Sequence, residues 1–250
     1  MMPCIWDRLR LMLRSDGMEK DIKDYREKEL KSFVIGNILL ILISSGLLDR
    51  IIAIVDETTA WTAINTILAS AVFSSVIYIF VFMADSLIPG VIKDKIIWCC
   101  NGRPGEHIFA DIKENLKDTR FTKKQALEQY AEIYKEIERS KDSRSIQNSS
   151  WYRIYKTHEA HAQISVSQRD FLLCRDMCIL TPFITAGYLC LQRYRHQNFS
   201  CRMITILIVE FILLWFISRS KGKRFAYNVI AVDIAKSEKK DNKSGILVKQ

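Results

Sequence analysis

The sequence predicts an all-α, polytopic membrane protein with four transmembrane helices and a helical cytosolic insert between spans two and three. Two observations lead to this fold class. First, apolar residues cluster into runs close to the roughly 20 helical residues that cross a bilayer. Second, strongly charged segments separate these runs, and the mean hydropathy of the whole chain is therefore only +0.01. The four predicted spans are residues 33–52, 62–88, 177–192 and 203–218.

The positions of the basic residues predict how these spans are oriented. Lys and Arg near the ends of spans collect on the cytosolic side of the membrane. Of the 37 Lys and Arg residues, 33 lie in segments 1–32, 89–176 and 219–250, and 4 lie in the two short loops, 49–61 and 193–202. We therefore expect a multi-pass protein of the inner (plasma) membrane with both termini in the cytosol, although the arginines of 193–202 would face outward.

The cytosolic segments are predicted to be helical. Residues 1–32 are expected to form amphipathic and charged helices that lead into the first span, and 6–13 either lies on the membrane surface or is a solvated or partner-packed helix. In the insert, 89–176, helices are expected over 106–116 and over 121–139, where Thr122 is a plausible N-cap.

A polar loop is expected at 140–150. After this loop, a helix over 151–174 is expected to continue without a break into span three, because no Pro or Gly interrupts it. The C-terminal tail, 219–250, is expected to contain a short helix against the membrane or the insert and to fray after Lys236.

Cysteine usage and the N-terminus agree with a membrane protein whose polar parts face a reducing compartment. The seven cysteines show no CxxC spacing, which argues against a disulfide framework and a zinc site. They are Cys4, Cys99, Cys100, Cys174, Cys178, Cys190 and Cys201. No cleavable signal peptide is apparent, so the first span is expected to act as its own insertion signal.

Two acidic residues are predicted to lie in or near the membrane, namely Glu210 and Asp85. Glu210 stands eight positions after Arg202 and nine before Arg219, which places it near the middle of span four. An acidic group there costs roughly 2.5–3.5 kcal/mol on insertion scales, so it should face protein or water. One interpretation is an ion or proton path, or a gating contact. The other is a protonated carboxyl bonded to a neighbour such as Thr181, Thr185 or Ser44.

The insert contains a candidate surface for a cytosolic partner or ligand, where aromatic and cationic side chains alternate. Stacking rings and cations suit nucleotides, nucleic acid or lipid headgroups. However, residues 89–176 hold 16 basic and 13 acidic side chains, so their net positive charge is too small to attract a polyanion strongly. Nucleic acid and nucleotides are therefore disfavoured as ligands, and the alternative is that these side chains pack against other helices. The residues of this surface are Trp151, Tyr152, Arg153, Tyr155, His158 and His161.

His158 and His161 also raise the possibility of a metal site. Histidines three apart share one face of a helix and can bind a metal with a third ligand. The HExxH pattern is not matched and no third ligand has suitable spacing, so we expect no metal and a polar helix face instead. Paired charges at the membrane mouth of span three, Arg169, Asp170, Arg175 and Asp176, are expected to anchor the interface or to transmit movement into the membrane.

No catalytic motif is apparent in the chain. There is no GxSxG, no phosphate-binding glycine loop and no plausible Ser/His/Asp grouping. The sequence therefore predicts a protein that is not an enzyme and uses no cofactor.

The four spans around a helical insert, together with the stretch NSSWYRIYKTHEAHAQISVSQRDFLLCRDM at 148–177, resemble small multi-pass membrane proteins of bacterial anti-phage defence systems. The resemblance is one of architecture and implies an oligomeric pore-forming or membrane-perturbing effector that is controlled through its cytosolic helices. The expected partners are the bilayer, further copies of the chain and a soluble cytosolic protein. Two alternatives stay open: a membrane anchor that recruits a soluble partner, and a lipid-modifying enzyme that uses His158 and His161.

Overall fold

The structure is a computed structural model that describes residues 5–44, 75, 79, 83, 86–196 and 198–247. Within these residues the chain is all-helical and contains no strand, as the sequence predicts. Asp85 and most of the second predicted span lie outside the described residues, as does the end of the first.

Several helices in the described residues are long. The helices are α1 (Ile5–Ser44), α2 (Gly90–Trp98), α3 (Ile108–Asn115), α4 (Lys123–Gln129), α5 (Ala131–Arg139), α6 (Ser143–His158), α7 (Ala162–Tyr194) and α8 (Cys201–Leu247), with short 3-10 turns at Cys99–Asn101 and Pro104–Glu106. Two of them, α7 and α8 over Cys201–Glu238, are long and apolar enough to cross a membrane.

The chain divides into two compact units. We call Met1–Lys23, Asp94–Phe171 and Arg219–Gln250 the insert unit, because it is built around the central insert. We call Asp24–Lys93 and Leu172–Ser218 the apolar unit, because it holds most residues of the predicted spans.

The core of the insert unit joins the insert helices to the last part of α8. Phe109 of α3 is fully buried and meets the rings of Tyr130 and Tyr134 edge to face, with centroids 5.4 and 6.0 Å apart. Val229 and Ile230 of α8 are fully buried in the same cluster. Burying a side chain of this size stabilises a fold by about 1.5–3 kcal/mol, so the tail is a structural part of this unit.

In the apolar unit, α1 packs through one stripe of residues. Leu30, Val34, Ile38 and Ile41 recur at three- and four-residue spacing and are buried against α7 and α8, at side chains such as Leu180 and Leu207. The opposite face of α1 leaves Ile35, Leu39 and Ile43 about half exposed. This helix is therefore apolar on both its buried and its open side.

The large apolar side chains that are exposed are distributed very unevenly. Among the described residues, Ile96, Tyr152 and Val166 are the only ones in the insert unit, and all the others belong to the apolar unit. Along α8 they form a dense group: Ile206, Ile208, Val209, Ile212, Leu213, Phe216 and Ile217. Soluble proteins rarely expose contiguous apolar patches of this kind.

Several predicted element boundaries are wrong, and side-chain capping explains one of them. The expected loop at 140–150 is mostly helix, because the Asp142 carboxylate accepts a hydrogen bond from the Ser145 N–H (3.2 Å) and starts α6 at Ser143. The helix predicted over 121–139 begins as expected at a Thr122 cap, with a reciprocal contact from Gln125. It is then interrupted at Tyr130, whose ring enters the core.

The helix predicted over 151–174 is also interrupted. It ends at His158, and α7 begins at Ala162 and runs into the third predicted span. The Ser165 hydroxyl donates to the carbonyl of Glu159 (2.9 Å), so a backbone acceptor freed by the break is satisfied by a side chain. The short helix expected in the tail is instead part of α8, whose backbone stays helical to Leu247, well past Lys236.

Candidate functional site

Glu210 is paired with an asparagine that the sequence analysis did not single out. The Asn37 amide nitrogen donates to Oε1 of Glu210 (3.1 Å) and to the carbonyl of Phe33 (3.2 Å). Asn37 Oδ1 and Glu210 Oε2 are both buried and make no hydrogen bond to another described residue. The predicted neighbours Thr181 and Thr185 instead bond to carbonyls of their own helix, at 3.0 and 2.9 Å, and Ser44 bonds to the Ile41 carbonyl.

The Asn37–Glu210 contact lies in an apolar part of the fold. A buried polar group without a partner is expensive in such surroundings, and each of these two side chains supplies the other with a hydrogen-bond partner. The pair therefore fits the interpretation of a carboxyl buried against a neighbouring helix, and it makes Glu210 a polar contact between α1 and α8.

Among the mouth charges, Asp176 is the centre of a buried ionic group in the apolar unit. Its side chain is only 2% exposed and lies 3.1 Å from the Arg175 guanidinium, 3.4 Å from the Lys93 ammonium and 3.8 Å from Arg26. These cations come from α7, α2 and α1, so one carboxylate links three helices. Buried charges require such partners to offset their lost hydration.

Arg169 and Asp170 belong to the insert unit and form a more open group. Asp170 accepts from Arg169 (3.3 Å) and from Lys221 of α8 (2.9 Å). All three side chains are about one quarter to one third exposed, so each pair contributes little stability compared with the Asp176 group.

His158 lies in a polar network within the insert unit rather than on an open surface. Its Nε2 is 2.7 Å from Oδ1 of Asp233, and its Nδ1 is 3.2 Å from the Lys236 ammonium. Because an ammonium can only donate, Nδ1 accepts a hydrogen bond from Lys236, and the Nε2–H group donates a hydrogen bond to Asp233. The other carboxylate oxygen of Asp233 accepts from Tyr130 and from Gln129, both at 2.7 Å.

Tyr130 is a buried member of the Asp233 network. Burial raises the pKa of the Tyr130 phenol well above its usual range, and the negative charge of Asp233 raises it further. Asp233 therefore links α4, α6 and α8 through the hydrogen bonds that its carboxylate accepts.

The structure separates the two histidines, contrary to the sequence expectation that they share a helix face. His158 is the last residue of α6 and is buried, whereas His161 lies in the turn before α7 and is exposed. The part of the chain that the structure describes contains no group of three or more His, Cys, Asp or Glu placed to hold a metal ion.

The aromatic residues of the predicted ligand surface line a cleft of about 230 Å³ in the insert unit. Trp151 and Tyr155 stack with centroids 5.7 Å apart and planes 9° apart, and Tyr152 lies beside Tyr155. Trp98, Phe171 and Phe225 complete the aromatic lining. Arg153, predicted as part of the same surface, is exposed and does not line this cleft.

Asn37, Lys93, Tyr130 and Asp233 were missed by sequence reasoning. Asn37 carried a usable signal, since it is a polar residue within an apolar run and such residues seek partners. Lys93, Tyr130 and Asp233 lie in ordinary polar or amphipathic segments, where nothing distinguishes them before the helices are packed. No protein family model, curated protein or solved structure matches this chain.

Proposed function

We propose that this chain is a non-enzymatic, multi-pass inner-membrane protein with four spans and both termini in the cytosol. The observation that carries the proposal is the concentration of exposed large apolar side chains in the apolar unit, which bilayer lipid would cover. The helices α7 and α8 supply two of the spans. The apolar runs 33–52 and 62–88 supply the other two, and the distribution of Lys and Arg sets the orientation.

Within the membrane the chain acts as an oligomeric pore-forming or membrane-perturbing effector, in the manner of the anti-phage membrane proteins that its architecture resembles. In the described part of the apolar unit, α1, α7 and α8 pack through apolar side chains. The Glu210 carboxyl accepts a hydrogen bond from Asn37 and is therefore part of the packing between α1 and α8. A path for ions would therefore run between several copies, or would open only when these contacts rearrange.

The insert unit is the part that controls this activity. Helix α8 contributes Val209 and Glu210 to the apolar unit and Val229 and Asp233 to the core and polar network of the insert unit. A signal that alters the insert unit thus acts on a helix that also belongs to the membrane part.

Dye release from proteoliposomes tests the membrane activity. Full-length protein is reconstituted into vesicles loaded with a self-quenching dye, and we expect faster release than from empty vesicles, rising more than linearly with protein per vesicle. Glu210→Leu should change the rate, whereas Val209→Ala, which alters an exposed neighbour on the same helix, should not. Release no faster than from empty vesicles contradicts the effector proposal.

Topology is tested separately with tags on the two tails. Both tags should be protected from protease in intact cells and cleaved after lysis. Tags on opposite sides, or a chain that stays in solution after lysis without detergent, would contradict the membrane assignment.

A second candidate function, a membrane anchor that recruits a soluble cytosolic protein, is favoured by the insert unit itself. That unit has its own hydrophobic core and an open aromatic cleft. Co-purification of one soluble protein with no dye release would support the anchor over the effector.

A further inference from the structure

We propose that the aromatic cleft of the insert unit binds an uncharged, flat heteroaromatic compound of the size of a nucleobase or nucleoside. This inference concerns a binding site and does not depend on the membrane activity proposed above. It starts from the shape and composition of the lining. Trp151 is half-buried and Tyr152 is 52% exposed, so the cleft presents aromatic side chains to solvent.

Two glycines let the aromatic rings of the cleft lie close to the backbone. A Cβ atom on Gly105 would lie 3.0 Å from the Trp151 ring, and one on Gly222 would lie 2.6 Å from Trp98 and 3.0 Å from Phe171. The rings therefore lie close to the backbone at both glycines, and a side chain at either position would displace them. Rings held in this way provide a preorganised stacking surface, which lowers the entropic cost of binding a flat ligand.

The Trp151 side chain is held in place by contacts within the insert unit. Its indole N–H donates to the carbonyl of Ala226 (3.3 Å), and its ring stacks on Tyr155. The orientation of Trp151 is thus determined by the fold and does not need a ligand to set it.

Polar groups along the cleft are available to form hydrogen bonds with the edge of a heterocycle. The Asn148 side chain lines the cleft and makes no hydrogen bond to another described side chain or backbone group, so its amide offers both a donor and an acceptor. Gln168 accepts from the Tyr155 hydroxyl through Oε1 (3.1 Å), which leaves its NH₂ group to donate. Bases are recognised by such stacking combined with hydrogen bonds at their edges.

The charges argue for an uncharged ligand. Arg103, the cation that lines the cleft, is paired with Asp94 at 3.3 Å. A polyphosphate would have to compete with this carboxylate. The volume also sets a limit, because about 230 Å³ is below the roughly 300–1,000 Å³ typical of sites for drug-sized ligands.

Ligand-observed NMR by saturation transfer tests the proposal on the full-length protein in lipid nanodiscs. The probes are adenosine, guanosine, cytidine and uridine, with ribose as a non-aromatic comparison and empty nanodiscs as a blank. We expect at least one nucleoside to bind with a Kd of ~1 mM or tighter. Its base protons should receive more saturation than its ribose protons, because the base is stacked between rings.

Matched variants separate stacking from general effects. Tyr152 makes no side-chain hydrogen bond in the described part of the chain, so Tyr152→Ala removes a ring without removing a bond, and it should weaken binding about tenfold. Tyr152→Phe keeps the ring and should bind as the wild type does, and equal helical circular dichroism in both variants excludes misfolding. The proposal is overturned if no nucleoside binds, if ribose binds equally well, or if Tyr152→Ala and Tyr152→Phe behave alike.

Discussion

The side-chain amide of Asn37 donates a hydrogen bond to the Glu210 carboxyl at 3.1 Å, although the two residues are 173 positions apart in the sequence. Each residue alone would be a costly polar group in an apolar helix, and together they satisfy part of each other's hydrogen-bonding capacity. The contact joins the first described helix of the chain to the last, so it identifies α1 and α8 as neighbours inside the apolar unit.

The first prediction concerns the strength of this contact. Glu210→Gln should keep the acceptor for Asn37 and unfold at nearly the same detergent concentration as the wild type. Glu210→Leu should leave the Asn37 amide unsatisfied. A double-mutant cycle with Asn37→Leu, measured by unfolding in mixed micelles, should give a coupling of about 0.6 kcal/mol, with an upper bound near 1.7 kcal/mol. Strictly additive effects would show that the two side chains do not interact.

The second prediction concerns Asp233. Asp233→Ala removes the acceptor for His158, Tyr130 and Gln129 in one step, and hydrogen bonds to a charged group are each worth about 1.5–3 kcal/mol. The free energy of unfolding of the insert unit should fall by at least the contribution of one such bond, and its unfolding transition should move to lower temperature.

Glu132→Gln is the matched control for Asp233→Ala. Glu132 is an exposed acidic residue of α5 that pairs with Lys135, and exposed pairs contribute about 0–1 kcal/mol. A loss of stability as large in Glu132→Gln as in Asp233→Ala would mean that net charge, and not the network, is responsible.

The third prediction concerns Asp176. Asp176→Asn removes the buried carboxylate that Arg175 and Lys93 both contact, and removing one partner of a buried pair costs about 3–5 kcal/mol. The variant should accumulate poorly in membranes and unfold early in detergent. Adding Lys93→Met should restore part of the lost stability, since it removes one of the buried cations that the Asp176 carboxylate offsets. No recovery in the double variant would exclude Lys93 as a partner.

The fourth prediction concerns alkaline pH. Burial raises the pKa of Tyr227 from 10.0 to about 12, with a smaller contribution from the charges of Asp111 and Asp118, and burial raises Tyr134 to about 12 as well. A raised folded-state pKa means that the folded chain holds protons that the unfolded chain releases. The stabilisation is therefore complete below pH 10 and is lost as pH rises through 12.

Tyr227→Phe provides the check on this pH dependence. Phe cannot ionise, so the variant should lose less stability than the wild type between pH 10 and pH 12 and should match it at neutral pH. Thermal unfolding followed by circular dichroism measures both values. Identical alkaline profiles for the two proteins would mean that Tyr227 ionises equally easily in the folded and unfolded chains.

Local sequence signals determined much of the fold before any packing was known. The apolar runs at 177–192 and 203–218 lie within α7 and α8, and Thr122 starts α4 as predicted, because hydropathy and capping depend on residues within a turn or two of each other. The aromatic residues Trp151, Tyr152 and Tyr155 were likewise recognised because they cluster with cationic side chains, and they lie at one cleft.

Only the tertiary structure decided which polar residues meet. Asp233 comes to within hydrogen-bonding distance of Tyr130 and His158 across 103 and 75 residues of sequence, and no local pattern encodes that distance. The same packing ended α6 at His158 and interrupted the helix at Tyr130, because burying those side chains outweighs the modest local preference for an unbroken helix. The sequence by itself determined that the chain is helical and which of its helices are apolar, and the tertiary structure decided where two of the predicted helices are interrupted and which helix faces are partners.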